Sequence, residues 1–234
     1  MIAFAVVHGP QRYVDWINSH IGFNPRGQEN SDAMSEYIQD DLILTSPIIA
    51  EFVKAGIVVP KKNGNVKAKF AVRNIDFIFQ DGNELPEIYV PLSVENKTIM
   101  TAHGKARKNR YGDIIAYCNH MHNHRPDCVA GATVVVNISE EYENPDLFAK
   151  GIQRKKLNME KVVADTIEVF HAIPLRDMPD EPTELPEAIA VIVVSYDGVN
   201  PGSLVVDGVS PNSPVYYDNF IRRVVAKYED RFCR

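Results

Sequence analysis

The stretch Glu87-Ile-Tyr-Val-Pro-Leu-Ser-Val-Glu-Asn-Lys97 is the part of the chain that indicates the fold most strongly. An apolar run, typical of a buried strand, ends here in two charges, Glu95 and Lys97, with one residue between them. Because side chains alternate along a strand, both charges project from one face, roughly 7 Å apart at their backbones. A carboxylate and an ammonium group in this arrangement suit chemistry on a phosphate, in which the acid holds a cation and the lysine steadies a nucleophile.

The residues before this strand predict an antiparallel hairpin. Residues 67–80 alternate well enough to form a strand, and the segment 81–86 supplies turn residues. A hairpin that presents one acid from each arm can hold a divalent cation such as Mg²⁺, which prefers oxygen ligands. Asp76 and Asp81 are the two choices for the partner of Glu95. The midpoint between 76 and 95 falls inside the turn-rich segment, whereas that between 81 and 95 falls inside the apolar run, so Asp76 is the better ligand and Asp81 belongs to the turn.

The other periodicities along the chain predict a mixed α/β fold. Helices are expected at 31–44, with Ser31 as N-cap, and at 47–55, 105–119, 159–172 and 216–232, and buried strands at 132–138 and 188–195. This order of elements indicates a mixed sheet covered by helices. We expect one domain over residues 1–234, with a core at roughly 31–200 and a closing helix at 216–232. That helix either covers the sheet or supplies an interface with a second copy of the chain.

Composition restricts the class of protein. A chain of 234 residues with 45% hydrophobic and 24% charged residues predicts an ordinary soluble globular protein. Three cysteines without a pairing pattern favour a reducing compartment, and the apolar runs are too short to span a membrane, so a cytoplasmic location is expected. The net charge of -6 argues against a protein that coats DNA through broad phosphate neutralisation.

A basic segment follows the proposed strand and is a candidate for contact with the phosphates that flank a scissile bond. Its members are His103, Lys105, Arg107, Lys108 and Arg110. Such contacts set position and salt dependence more than sequence preference. The alternative is a solvated helix face, which is the usual meaning of a run of charges.

The segment His120-Met-His-Asn-His124 invites comparison with a metal site, because imidazoles at alternate positions of a strand share a face. It lies instead after a predicted helix, so a loop or a frayed helix end is expected, and a polar surface turn is favoured over zinc binding. The chain has no P-loop, no dinucleotide-binding glycine motif and no nucleophile elbow.

Taken together, these residues resemble the PD-(D/E)xK nuclease superfamily, and within it the type II restriction endonucleases. The resemblance is carried by Asn74-Ile-Asp76, by Ser93-Val-Glu95-Asn-Lys97, and by the helix and the strand 132–138 that follow. It covers mainly residues 31–139. One departure is that Ile75, rather than proline, precedes Asp76.

The resemblance implies a restriction-endonuclease-like central mixed sheet flanked by helices, and Mg²⁺-dependent hydrolysis of phosphodiesters in double-stranded DNA. It implies that Asp76 and Glu95 bind the metal and that Lys97 assists the nucleophile. Glu36 resembles an additional acid that some of these enzymes direct from a helix toward the metal, although a surface glutamate is the simpler interpretation. Cleavage of both strands at a short symmetric site requires two active sites, so a twofold homodimer is expected.

Two alternatives to restriction remain open. One is another nuclease of the superfamily, acting in repair, transposition or junction resolution. The other is a catalytically inactive DNA-binding or assembly protein that keeps the fold. Inactive relatives usually lose an acid or the lysine, whereas Asp76, Glu95 and Lys97 are all present here.

Overall fold

The computed structural model of the chain describes residues 9–24, 27–69, 71–82, 89–139 and 158–233. Within them it has helices α1 (Gly9–Ser19), α2 (Gln28–Thr45), α3 (Pro47–Lys54), α4 (His103–His124), α5 (Met159–His171) and α6 (Tyr217–Phe232). The strands are β1 (Val58–Lys67), β2 (Val72–Asp81), β3 (Leu92–Ile99), β4 (Val129–Asn137), β5 (Ala188–Ser195) and β6 (Ser203–Leu204). A short 3-10 helix spans Val206–Gly208. None of the helices in this part of the chain combines the length and hydrophobicity that a membrane crossing requires.

The strands form one sheet in the order β1-β2-β3-β4-β5-β6. β3, β4 and β5 are parallel, whereas β1 with β2, β2 with β3 and β5 with β6 are antiparallel. The predicted mixed sheet is therefore confirmed. β4 is buried along its whole length and β5 nearly so, because helices cover both faces of the sheet at its parallel centre, and this explains their largely apolar sequences.

Each face of the sheet has its own hydrophobic core. On one face, side chains of α1, α2 and α6 pack against the sheet, among them Tyr13, Met34 and Phe220. On the other face, α4 and α5 pack through residues such as Tyr117 and Phe170. The apolar side of α6 is thus buried within its own chain, so the closing helix covers the sheet, which is the first of the two roles expected for it.

Two boundaries differ from the prediction for physical reasons. Gly27, not Ser31, occupies the N-cap of α2, so Ser31 lies one turn inside the helix. α4 continues through His124 instead of ending near residue 119, because its histidines find hydrogen-bond partners on neighbouring elements. The predicted strand 67–80 begins only at Val72, and most of the predicted turn at 81–86 falls outside the described residues.

The sequence patterns did not reveal β1, which is an edge strand. Pro60, three polar residues from Lys61 to Asn63, and Gly64 interrupt its apolar pattern, and edge strands tolerate both proline and charge. Gly64 is needed here, because a Cβ atom at this position would lie 2.3 Å from Cδ1 of Ile78 on β2. The consequence for the site is that β2 has a neighbour on each side rather than on one.

Candidate functional site

Asp76 on β2 and Glu95 on β3 lie close together at the point where these two strands separate. The ladder between these strands pairs Phe79 with Leu92, Ile78 with Ser93, and Phe77 with Val94, and it ends there. One further pair in the same register would place Asp76 opposite Glu95. The hairpin register that the symmetry argument favoured is therefore confirmed, and both acids stand at the first position beyond the paired region.

The side chain of Asp76 takes over a backbone contact that the separated strands no longer make. Its Oδ2 accepts a hydrogen bond from the backbone N–H of Asn96 at 2.7 Å. Burial raises the pKa of the Asp76 carboxyl, and the nearby Glu95 carboxylate raises it further, against the opposing effect of Lys97. A negative charge is costly at this position, so Asp76 gains from a cation beside it.

Glu95 is the more deeply buried acid, with a side chain that is 5% exposed. Its Oε1 accepts hydrogen bonds from Nζ of Lys97 at 2.7 Å and from Nη2 of Arg73 at 3.0 Å. Its Oε2 is buried and has no hydrogen-bond partner. Nζ of Lys97 also lies 3.7 Å from Oδ2 of Asp76. The structure thus brings the three predicted catalytic residues together and leaves one carboxylate oxygen without a donor, which is uncommon for a buried polar atom.

Arg73 belongs to this group although the sequence patterns did not single it out. It precedes Asp76 by three residues on β2, and its guanidinium lies 5.9 Å from the ring centre of Tyr117 on α4. Two cations, Arg73 and Lys97, therefore offset the charge of Glu95. The available signal was that Arg73 is the one basic residue of β2, three positions before the proposed metal ligand.

Asn96 connects the site to α2, on the side of β3 opposite to that of Glu95 and Lys97. Its side-chain amide donates to Oγ of Ser35 at 2.9 Å and accepts from Oγ1 of Thr133 at 2.7 Å. The hydroxyl of Ser35 donates to the backbone carbonyl of Asp76 at 3.2 Å. The residue between Glu95 and Lys97 therefore fixes where β2 and β3 part, because it connects both strands to the helix.

Glu36 is not brought to the two acids. Its carboxylate lies 2.8 Å from Nζ of Lys62 on β1, and its side chain is 58% exposed. The preceding residue, Ser35, is the one that faces the sheet. Because neighbouring residues on a helix point in different directions, Glu36 has the surface role that was its simpler interpretation.

The fold places the members of the basic segment in different environments. His103 is fully buried and its Nε2 lies 2.7 Å from the backbone carbonyl of Asn137, so it has no surface for a phosphate. This corrects its predicted role, because the start of α4 docks against the end of β4. Arg107 pairs with Asp165 at 3.1 Å. Lys105 and Lys108 are exposed.

Arg110 is the member of the basic segment that lines the same cleft as Asp76. It pairs with Asp113 at 2.6 Å and donates to the backbone carbonyl of Thr98 at 3.3 Å. With Asp76, Asn96, Lys97 and Thr98 it lines one side of an open cleft of about 280 Å³, whose other side is the beginning of α2. Two cationic side chains, Lys97 and Arg110, and one acidic side chain, Asp76, line the cleft. This balance of charge suits the binding of an anionic group together with a water molecule.

The two acids fit a magnesium ion better than a metal that needs many protein ligands. Among the described residues, no three His, Cys, Asp or Glu side chains are grouped to hold a metal. Mg²⁺ usually binds through one or two carboxylates and fills its other positions with water and substrate phosphate. The partnerless Oε2 of Glu95 and the carboxyl of Asp76, whose charge is destabilised by burial, are suitable donors for such an ion.

The histidines at the end of α4 have a structural role, not the surface turn that was expected. Nε2 of His120 lies 2.9 Å from the carbonyl of Val66. His122 is buried, with Nε2 3.1 Å from Oε2 of Glu187 and Nδ1 2.7 Å from a backbone carbonyl. Burial opposes ionisation of Glu187, but its bonds to His122 and the charge of Arg231 outweigh burial and lower its pKa. This buried network lies at the amino ends of β4 and β5 and consolidates the sheet.

None of the family models, curated proteins or solved structures compared with the chain matches it. A mixed sheet with helices on both faces serves many activities, so the fold does not identify one. What distinguishes this chain is the local grouping of Asp76, Glu95 and Lys97 at a strand separation beside a polar cleft.

Proposed function

We propose that the protein is a Mg²⁺-dependent, sequence-specific endonuclease of the type II restriction kind, which hydrolyses phosphodiester bonds of double-stranded DNA. The observation that carries the proposal is the meeting of Asp76, Glu95 and Lys97 at the end of the β2–β3 ladder, with a buried oxygen of Glu95 left without a donor. The same three residues carry the resemblance to the PD-(D/E)xK nucleases.

In this proposal Asp76 and Glu95 hold the metal. Mg²⁺ at such a site supplies a Lewis acid that polarises a phosphate oxygen and lowers the pKa of bound water. Lys97 stands beside both carboxylates, where its ammonium group orients the attacking water and offsets the negative charge that develops on phosphorus. Arg73, on the same oxygen of Glu95 as Lys97, keeps that carboxylate in position.

The reaction consumes one water for each bond cleaved. The water oxygen forms a bond to phosphorus while the bond between phosphorus and O3′ breaks, and the water loses a proton to solvent as O3′ gains one. The products are a 5′ phosphate and a 3′ hydroxyl, as the family resemblance implies. Arg110 and Lys97 line the cleft in which the phosphate would lie, and both are cationic.

Other nucleases of the superfamily, acting in repair, transposition or junction resolution, would use the same three residues. They differ from a restriction enzyme in the DNA they select, so sequence preference separates them. A non-catalytic DNA-binding protein is a weaker candidate, because it has no use for a buried carboxylate oxygen kept without a donor.

Cleavage of both strands by a twofold homodimer is part of the proposal. The apolar face of α6 is buried against its own sheet, so the contact between copies would use another surface. Size-exclusion chromatography with light scattering measures this directly, and the dimer is the expected species on a symmetric DNA site.

The function is tested by incubating the purified protein with a random-sequence duplex library and Mg²⁺, and then sequencing the fragment ends. Ends that share a short symmetric sequence support a restriction enzyme, and ends without a shared sequence support another nuclease. Glu36→Gln is the matched control for Glu95→Gln, because both remove one carboxylate charge but only Glu95 stands at the centre. The absence of cutting by the native protein, or equal cutting by the Glu95→Gln variant, contradicts the proposal.

A further inference from the structure

The ammonium group of Lys97 bridges the two acidic side chains of the site. Its Nζ lies 2.7 Å from Oε1 of Glu95 and 3.7 Å from Oδ2 of Asp76. Within the described part of the chain, no other cationic side chain contacts both acids. The Lys97 side chain is only 16% exposed, so its charge is held within the site rather than in open water. A positive charge that belongs to the chain therefore serves both carboxylates.

A metal ion held by Asp76 and Glu95 would need the same two carboxylates. An ammonium group and Mg²⁺ are attracted to a carboxylate for the same electrostatic reason, and two cations a few ångströms apart repel each other. Salt and water screen this repulsion less in a partly buried site than on an open surface. Lys97 and Mg²⁺ therefore cannot both contact the two carboxylates without a large electrostatic cost.

Arg73 can hold Glu95 without the help of Lys97. Its Nη2 lies 3.0 Å from Oε1 of Glu95, which is the oxygen that Lys97 also contacts. Its guanidinium is 5.9 Å from the ring centre of Tyr117, a fully buried side chain, and this contact helps to fix the arginine. Among the described residues, Glu95 is the one acid with which Arg73 forms an ion pair. Glu95 would thus keep one counter-charge if Lys97 moved away.

The open cleft offers Lys97 a second position. Lys97 lines this cleft of about 280 Å³ together with Asp76 and Arg110. Arg110 is held at the wall of the cleft by its ion pair with Asp113 and its bond to the carbonyl of Thr98. The stem of a lysine is flexible, so the ammonium group can turn away from the carboxylates while the strand stays in place. In the cleft it would lie near Arg110 and contact a bound phosphate.

We propose that Lys97 competes with the metal ion for Asp76 and Glu95, and that Mg²⁺ displaces its ammonium group toward the cleft, where it meets the scissile phosphate. Arg73 is the positioning residue that stays on Glu95 during this exchange. The inference rests on the proposed function and deepens it by stating how the metal and the lysine divide one site. Metal binding and the placing of the lysine are thereby linked, so the lysine reaches the phosphate only when the metal is bound.

The test is the affinity of the protein for Mg²⁺ alone, measured by calorimetry without DNA after treatment with EDTA and dialysis. Lys97→Met should bind Mg²⁺ about tenfold more tightly than the native protein, because the metal no longer has to displace an ion pair. Arg73→Gln removes a charge from the same oxygen of Glu95. It should bind Mg²⁺ no more tightly than the native protein, because Lys97 is then the remaining counter-charge of Glu95. Lys108→Met, at an exposed position of α4, should match the native protein within about twofold.

A measurement on the native protein decides the matter if Lys97→Met does not fold. Acetylation of Lys97 by acetic anhydride, read by mass spectrometry, should rise with Mg²⁺ along the calorimetric binding curve, whereas that of Lys108 should stay constant.

The outcomes separate this inference from the proposed function. A Lys97→Met variant that binds Mg²⁺ no more tightly than the native protein, or an Arg73→Gln variant that gains as much, overturns the inference even if the native protein cuts DNA. Acetylation of Lys97 that stays constant or falls as Mg²⁺ is added does the same. The expected affinities in a protein that cuts no DNA leave the inference in place and overturn the nuclease. A native protein that does not bind Mg²⁺ overturns both.

Discussion

The ammonium group of Lys97 lies 2.7 Å from the Glu95 carboxylate, on the side of the strand that faces Arg73. If this lysine orients water and offsets charge on phosphorus, its loss affects the chemical step more than binding. Lys97→Ala should therefore lower the single-turnover cleavage rate by about 100-fold or more while changing duplex affinity by less than about threefold. Lys108→Ala, an exposed lysine on α4, is the control. A Lys97→Ala variant that cuts at the native rate removes the lysine from the mechanism.

The charge of Asp76, the proposed metal ligand, destabilises the folded protein when no cation is bound. Its ionised form is disfavoured by burial and by Glu95, whereas the oxygen of an asparagine can still accept the bond from the N–H of Asn96. Without metal at neutral pH, Asp76→Asn should raise the free energy of unfolding by about 1 kcal/mol. Added Mg²⁺ should raise the melting temperature of the native protein but not of the variant. Destabilisation by Asp76→Asn, measured in urea, would mean that the carboxylate is compensated in some other way.

The same residue sets a pH dependence. An acid with a raised pKa holds its proton more tightly in the folded state than in the unfolded chain, so the destabilising effect of its charge is present at neutral pH and is lost as pH falls through the raised pKa. The stability advantage of Asp76→Asn should therefore shrink on acidification and level off below the ordinary value of 3.8. Mg²⁺ affinity of the native protein, measured by calorimetry, should weaken over the same interval. An advantage that stays constant with pH contradicts the assignment.

Glu187 lies away from the cleft that Asp76 lines, and its pKa is shifted in the opposite direction to that of Asp76. It is buried with His122, Arg176 and Arg231, and its lowered pKa means that its contribution to stability is present above 4.5 and lost as pH falls through the lower, folded value. Glu187→Gln should cost about 3–5 kcal/mol, because it leaves buried cations without their counter-charge. Glu184→Gln, an exposed neighbour, is the control. A cost below about 1 kcal/mol in urea unfolding would show that the network is not needed for stability.

Local patterns predicted the centre of this fold because its determinants are close in sequence. β2 and β3 are joined by a short segment, so the symmetry of the turn was enough to pair Asp76 with Glu95. β4 and β5 are short, largely apolar runs, which are typical of strands buried on both faces. α1 was overlooked although Tyr13, Val14 and Ile17 are buried at helical spacing.

Contacts between distant residues were beyond the reach of such patterns. His122 meets Glu187 across 65 positions, so nothing near either residue shows that the imidazole is buried. Glu36 and Ser35 are neighbours on α2, and only the docking of that helix decides which of them faces the acids. His103 looked like part of a basic surface for the same reason, since its burial depends on where β4 ends.

The most direct measurement of the central claim is the rate of cleavage of plasmid DNA as a function of Mg²⁺ concentration, for the native protein and for Glu95→Gln. We predict that the native protein cleaves the plasmid at a rate that saturates with Mg²⁺ concentration, and that it does not cleave in EDTA. Glu95→Gln, which keeps the shape of the side chain but replaces a carboxylate oxygen, should lose at least about 100-fold in rate at every Mg²⁺ concentration. Cleavage that needs no divalent cation, or that survives this substitution, would contradict a metal centre built on Asp76 and Glu95.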